Sequence, residues 1–268
     1  LAGHRIGVTV CAFSPDGTLL ATACMDKIIK LWQVDTGTEV RSLLGHTHGV
    51  GGLMFTADST HLISASRDRT VRVWHVASGT LLYTLSLPGC GSGVALSASG
   101  TLLAVGCCEG TVTLFDVENR FKLLSTFDAH LGDPYTWLRL QFCPVAGSTL
   151  LVTSSRNRKE AKLWDLSDVY APVLFDPEGS IHSTTARKPV AVLRGHCEVV
   201  RDVRFSGDGA LIATASSDHT IKVWDAVTGR ELRTLTGYSD WVNAVAFHPT
   251  DSGVLVSCSE DMAWMWTV

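Results

Sequence analysis

His196, Ser216 and Asp218 are the residue types of nucleophilic catalysis: a hydroxyl to attack, an imidazole to take its proton and a carboxylate to hold the imidazole. The same set recurs as His46, Ser66 and Asp68, and in part as His4 and Asp26 with Cys24 in the serine position. Each set is accompanied by a tryptophan, Trp224, Trp74 or Trp32. A catalytic site is singular in most enzymes, whereas this constellation repeats with the period of the chain. Repetition assigns it to the scaffold, and no catalytic residue is expected. A buried imidazole and a buried indole N–H both need hydrogen-bond partners, and a shared polar chain would supply them.

Other chemistries find less support. The ten histidines show no H-E-x-x-H or comparable ligand spacing, and Cys107-Cys108 has no partner pair, so no metal is expected. No G-x-x-x-x-G-K-S/T loop is present; Gly89-Cys90-Gly91-Ser92-Gly93 lacks the lysine and the following helix, and its glycines read as turn residues. No cofactor is expected either. The net charge of -4 gives no reason to expect nucleic acid or an anionic membrane as partner. The uncharged stretch 77–108 is broken at Pro88-Gly89 and at Ser99-Gly100, which excludes a membrane helix there.

The elements that must position these residues follow from the spacing. His4 to Trp32, His46 to Trp74, His196 to Trp224 and Tyr238 to Trp266 are each 28 residues, and Phe13, Phe55, Phe205 and Phe247 each stand nine after the His or Tyr. In the unit beginning at His196, 199–205, 211–215, 220–224 and 231–235 are β-branched and aromatic and are separated by Gly/Asp/Ser turns. That describes a four-stranded antiparallel sheet. One such sheet cannot bury both of its faces, so the units must pack on one another.

Gly3-His4, Gly45-His46 and Gly195-His196 at unit starts, the turn residues Asp26, Asp68 and Asp218, and Trp164-Asp165 and Trp224-Asp225 at strand ends resemble the WD-repeat family. The resemblance covers the chain from Gly3 to Val268. It implies an all-β WD-repeat β-propeller with six visible blades, the last lacking its outer strand. Repeats fall at about 3–44, 45–87, 88–128, 129–194, 195–236 and 237–268 of one domain, 1–268. An insertion is placed near 167–188, and the chain reads as a piece of a longer protein. The third unit has Glu109 and Phe115 for the Asp and Trp, the fourth has six extra residues between His130 and Trp164, and the sixth has Tyr238 for His.

The resemblance further implies a hydrogen-bond chain from Trp to Ser to His to Asp in each good blade. It would comprise Trp74, Ser66, His46 and Asp68; Trp224, Ser216, His196 and Asp218; and, in part, Trp32, His4 and Asp26. It also implies rim positions three and five after the His and one just before the turn Asp. These are Gly7, Thr9 and Met25; Gly49, Gly51 and Arg67; Cys90, Ser92 and Cys108; Thr136, Leu138 and Asn157; Val199, Arg201 and Ser217; and Trp241, Asn243 and Glu260. Arg67, Arg201 and Trp241, supported by Asn243, Met25 and Thr136, are the candidate partner-binding residues, because Trp and Arg dominate interface energetics.

The expected function is a non-catalytic scaffold whose partners are other proteins or peptides and neighbouring domains. The alternative is a regulatory or ligand-sensing propeller of a signalling or ubiquitin-ligase protein. Neither Trp164-Asp165-Leu166-Ser167 nor Trp224-Asp225-Ala226-Val227 has the W-D-x-R form. The eight cysteines show no C-x-x-C spacing and read as free thiols, which points to an intracellular, cytoplasmic setting.

Overall fold

Each repeat closes as a sheet paired in chain order and antiparallel throughout. The computed structural model describes residues 3–4, 6–130, 137–170 and 187–268. The first sheet is β1–β4 (Val8–Phe13, Leu19–Cys24, Ile29–Gln33, Glu39–Leu43) and the second β5–β8 (Val50–Phe55, His61–Ser66, Thr70–His75, Leu81–Ser86). The third is β9–β12 (Gly91–Leu96, Leu102–Cys107, Thr111–Asp116, Lys122–Asp128) and the fourth β13–β16 (Leu138–Phe142, Leu150–Ser155, Glu160–Asp165, Ala191–Arg194). The fifth is β17–β20 (Val200–Phe205, Leu211–Ser216, Ile221–Asp225, Glu231–Leu235) and the sixth β21–β23 (Ala244–Phe247, Val254–Cys258, Ala263–Thr267). The last sheet thus has three strands among the described residues, and the architecture is the six-bladed β-propeller arrangement that the family resemblance implied. None of these residues is helical, so no helix is long and apolar enough to cross a membrane.

Short polar side chains set the turns. Between β17 and β18, Ser206 Oγ donates to Asp208 Oδ1 at 2.6 Å and accepts from the Leu211 N–H, while Asp208 Oδ1 accepts from the Ala210 N–H. Gly209 takes the left-handed φ of 70° that closes the turn. Ser14 with Asp16 and Thr56 with Asp58 repeat the device in the first two blades.

Blades pack small side chains against large ones. Ala21, Ala23, Ile29 and Leu31 of the first blade meet Leu53, Phe55, Leu62 and Trp74 of the second. Ala213, Ala215, Ile221 and Val223 of the fifth meet Tyr238, Val245 and Leu255 of the sixth. Burying each such aromatic contributes about 2–3 kcal/mol. The outermost faces of the first and sixth sheets lack this cover: Phe13 is 63% exposed where Phe55 and Phe205 are buried, and Met265 is 75% exposed where Val223 is buried.

The innermost strands β1, β5, β9, β13 and β17 all line one cavity of about 160 Å³, the axial channel. Their backbones approach closely: a Cβ on Gly93 would lie 2.7 Å from the Leu138 carbonyl oxygen. β1, β5 and β17 each carry a bulge, between Val8 and Val10, Val50 and Gly52, and Val200 and Asp202, whereas β13 pairs regularly with β14. Of the expected insertion, 171–186 lies outside the described residues.

Candidate functional site

In the fifth blade His196 is bonded at both ring nitrogens, Nε2 to Thr214 Oγ1 at 2.7 Å and Nδ1 to Asp218 Oδ2 at 2.8 Å, and Trp224 Nε1 donates to the same Thr214 oxygen at 2.9 Å. The second blade repeats this with Ser64 at 2.8 Å from His46 Nε2 and Asp68 at 2.7 Å from Nδ1. There Trp74 Nε1 donates to Ser64 Oγ at 2.9 Å. The first uses Thr22, Asp26 and Trp32 around His4. One proton order satisfies every atom: indole N–H to hydroxyl oxygen, hydroxyl O–H to Nε2, and Nδ1–H to carboxylate. It requires neutral imidazoles. Burial lowers the pKa of His46 and His196, against the opposing pull of Asp68 and Asp218, which keeps them neutral near pH 7. Burial raises the Asp68 pKa, but bonds from Thr70, the Thr47 N–H and His46 outweigh it and hold it at about 2.

The hydroxyl in this chain is therefore Thr22, Ser64 or Thr214, and the expected Ser66 and Ser216 are corrected. Trp74 pairs with Leu62, so Ser64 lies one same-face step along the strand, roughly 7 Å away, and Ser66 two steps, roughly 13 Å and beyond the reach of the indole. Ser66 and Ser216 instead accept the N–H of Asp68 and Asp218 at 3.1 Å and donate to the carbonyls of Gly49 and Glu198, which fixes the turn that aims the carboxylate. Ser64 and Thr214 have no exposed surface, so the hydroxyl beside each imidazole cannot meet a substrate.

Three blades depart from this plan. In the sixth, Tyr238 Oη and Trp266 Nε1 share Ser257 Oγ at 2.6 and 2.7 Å. In the third, Thr113 bonds Thr126 and the tryptophan is Phe115. In the fourth, His130 Nε2 and Trp164 Nε1 share Thr153 Oγ1, but the β14–β15 turn has no carboxylate, and among the described residues the buried His130 Nδ1 has no partner. Burial, with Lys162 nearby, lowers the His130 pKa to about 3. His4, Cys24 and Asp26 place possible metal-ligand atoms within 4.8 Å of one another. They are bonded to each other, however, as the corresponding network residues of the second blade are, with Cys24 Sγ accepting the Asp26 N–H where Ser66 accepts that of Asp68.

The strand-end turns gather the rim residues. Arg201 Nε donates to Ser217 Oγ at 2.7 Å and Nη1 to Asn243 Oδ1 at 2.9 Å, and its guanidinium lies 4.3 Å from the centre of the Trp241 ring, which is 45% exposed. Three expected rim residues thus form one cluster. Arg67 stacks on Trp137 at 4.8 Å, and Met25 lies half-buried at the matching turn of the first blade. Thr136 lies outside the described residues.

Leu138 is buried in the core, which corrects its rim placement. The Arg67, Ser217 and Arg156 N–H groups bond the carbonyls of Gly49, Val199 and Trp137, so in the fourth blade Arg156 and Trp137 hold the rim positions expected of Asn157 and Thr136. The missing bulge removes one residue from β13 and the β14–β15 turn has one more residue than its fifth-blade counterpart, so both counts slip. Thr153 gives the right register, because Arg156 stands three after it as Arg67 stands three after Ser64.

The family model for the WD domain, G-beta repeat, matches residues 1–33, 37–75, 187–225 and 229–266. The chain belongs to the WD40-repeat family. The matched segments hold the three inner strands of the first, second, fifth and sixth blades, and those of the third and fourth, where the network is absent or its turn has no carboxylate, are unmatched. Among relatives, the WD40 chain is 39% identical over 135 residues to WD repeat and SOCS box-containing protein 1 of Homo sapiens, covering 49% of this chain and 27% of that protein. It is 42% identical over 82 residues to nuclear distribution protein PAC1 of Cryptococcus neoformans, 31% of this chain and 17% of the relative. It is 29% identical over 124 residues to Protein tipD of Dictyostelium discoideum, 45% of this chain and 20% of the relative. The WD40 chain matches less than a third of the length of each of these three. Membership of the family implies a protein-interaction scaffold.

Proposed function

We propose that this WD40 protein is a non-catalytic scaffold that binds another protein or peptide on the rim of its fourth, fifth and sixth blades. The observation that carries the reading is the Arg201–Ser217–Asn243–Trp241 cluster, an exposed indole with a guanidinium fixed on its face by two hydrogen bonds. Such a pair is rigid before binding, so little side-chain entropy is lost on contact, and Trp and Arg are the residues that most often anchor interfaces. The network histidines, enclosed within the blades, hold that surface in shape. Eight free cysteines, with Cys107 and Cys108 pushed up to about 11 by burial, suit a reducing intracellular setting.

Affinity capture from cell extract with the wild-type chain and with the Arg201→Ala/Trp241→Ala double variant tests the reading. Proteins retained by the wild type should be lost by the double variant while its thermal unfolding stays within about 0.5 kcal/mol of wild type, as for other surface changes. Equal retention by a folded double variant would remove the rim from the account. The likeness to WD repeat and SOCS box-containing protein 1 favours a second reading, a regulatory or ligand-sensing propeller within a larger signalling or ubiquitin-ligase protein. That reading uses the same rim.

A further inference from the structure

The wall of the channel below this rim is unevenly charged. On the first three blades it is made of Val10, Gly51, Gly52 and Gly93, and on the fourth and fifth it carries Arg139 and Arg204. Asp202 follows Arg201 in the chain and pairs with Ala215, the position that Ser154 holds opposite Arg139, so Arg139 and Asp202 stand at one level of adjacent blades. Arg204 Nε donates to Asp202 Oδ2 at 3.3 Å. Arg156 stands on the rim above, and its charge and that of Arg201 act on each other. Arg139, Arg156 and Arg204 therefore gather around the single carboxylate of Asp202, and Arg201 faces Arg156 beside them.

The charges do not balance within the described residues. Asp202 is 3% exposed, and its Oδ1 has no hydrogen-bond partner although buried. Arg139, half-buried, and Arg156, exposed on the rim, make no side-chain hydrogen bond there, and partial loss of hydration lowers the pKa of both. Arg201 uses Nε and Nη1 on Ser217 and Asn243 and leaves Nη2 uncommitted. Partly dehydrated guanidinium groups held near one another repel, and an anion placed between them offsets that cost while accepting charge-assisted hydrogen bonds.

We infer that the channel mouth between Arg139, Arg156 and Arg201 binds an anionic group, the carboxylate or phosphate of a protein segment laid across the rim. The site deepens the rim reading and rests on it: Trp241 offers the apolar contact and the arginines fix the acidic residue beside it. Asp202 holds the guanidinium groups in place but competes with the incoming anion, so its removal has the opposite effect to removal of an arginine. A purely structural ion cluster would show no such opposition.

The test titrates the whole chain with inorganic phosphate, and separately with acetate, at ionic strength held constant with chloride, and reads the unfolding temperature. Binding gives a saturating rise, whereas general salting effects of phosphate grow without saturating. Arg156→Gln and Arg139→Gln should each raise the half-saturating phosphate concentration about tenfold, the loss of one hydrogen bond to a charged group. Asp202→Asn should lower it. Saturation with both anions means that a carboxylate side chain suffices, and with phosphate alone that the segment is phosphorylated. Arg156 is on the rim, so its variant decides the question should Arg139→Gln or Asp202→Asn fail to fold. A rise that does not saturate, or that is unchanged in Arg156→Gln, overturns the anion site. The capture experiment on Arg201 and Trp241 can succeed in that case, so the two failures are distinguishable.

Discussion

In the fifth blade His196 is held at both nitrogens by Thr214 and Asp218, and its turn follows the shared register. In the fourth, His130 is held at one nitrogen by Thr153, no carboxylate among the described residues reaches its Nδ1, β13 lacks the bulge and the turn after β14 is longer. The same fourth blade places Trp137, Arg139 and Arg156 at the rim and channel mouth, two of them arginines facing Asp202 and Arg201 of the fifth. Blades that keep the Trp–hydroxyl–His–Asp chain are fixed by it, and the fourth, whose turn has no carboxylate, adds Trp137 and Arg156 to a rim that already holds Arg67 and Arg201.

The comparison breaks most visibly at the turn carboxylate. Asp218 accepts bonds from His196, the Cys197 N–H and both the N–H and hydroxyl of Thr220. Asp218→Ala should therefore cost about 3 kcal/mol in urea unfolding, since it orphans the buried His196 N–H and removes three further turn bonds at once. Asn157→Ala, at the fourth blade's turn, should cost less than about 0.5 kcal/mol. Equal costs would mean that the carboxylate does not distinguish the two blades.

A second effect separates them by pH. The folded-state pKa of His130 is lowered from 6.5 to about 3, so the unfolded chain takes up a proton below pH 6.5 that the folded chain refuses. Its contribution to stability is present above pH 6.5 and is lost as the pH falls toward 3, by up to about 1.4 kcal/mol per pH unit. His130→Gln, which keeps a hydrogen bond for Thr153, should flatten the fall of unfolding free energy between pH 6.5 and 4. An unchanged slope would show that the orphan Nδ1 is hydrated or paired. Asp68, held at about 2, titrates below this window, whereas His46 and His196, also lowered by burial, contribute within it and keep their share of the slope in the His130→Gln variant.

Much of this was legible in the residues. The spacing of His4, His46, His196 and Tyr238 from their tryptophans implied sheets of four strands and their order, because a fixed offset between distant polar and aromatic residues survives only when the strands between them keep one register. The identity of the bridging hydroxyl was not legible. Ser64 and Ser66 lie on the same strand face, and alternation alone cannot say which one an indole touches. The rim of the fourth blade was hidden by two local changes, a missing bulge in β13 and an added turn residue before β15. Arg139 gave no signal at all, since an arginine within an inner strand differs from a surface arginine only once the inner strands are gathered around one channel.

A double-mutant cycle decides whether the repeated His and Asp form a structural network rather than an active site. His196→Ala, Asp218→Ala and the double variant are compared in unfolding free energy against wild type. Two residues of one buried chain should show a coupling of about 1–3 kcal/mol, the second change costing little once the first is made. Additive single costs, or a His196→Ala variant as stable as wild type that has lost a measurable activity, would contradict it.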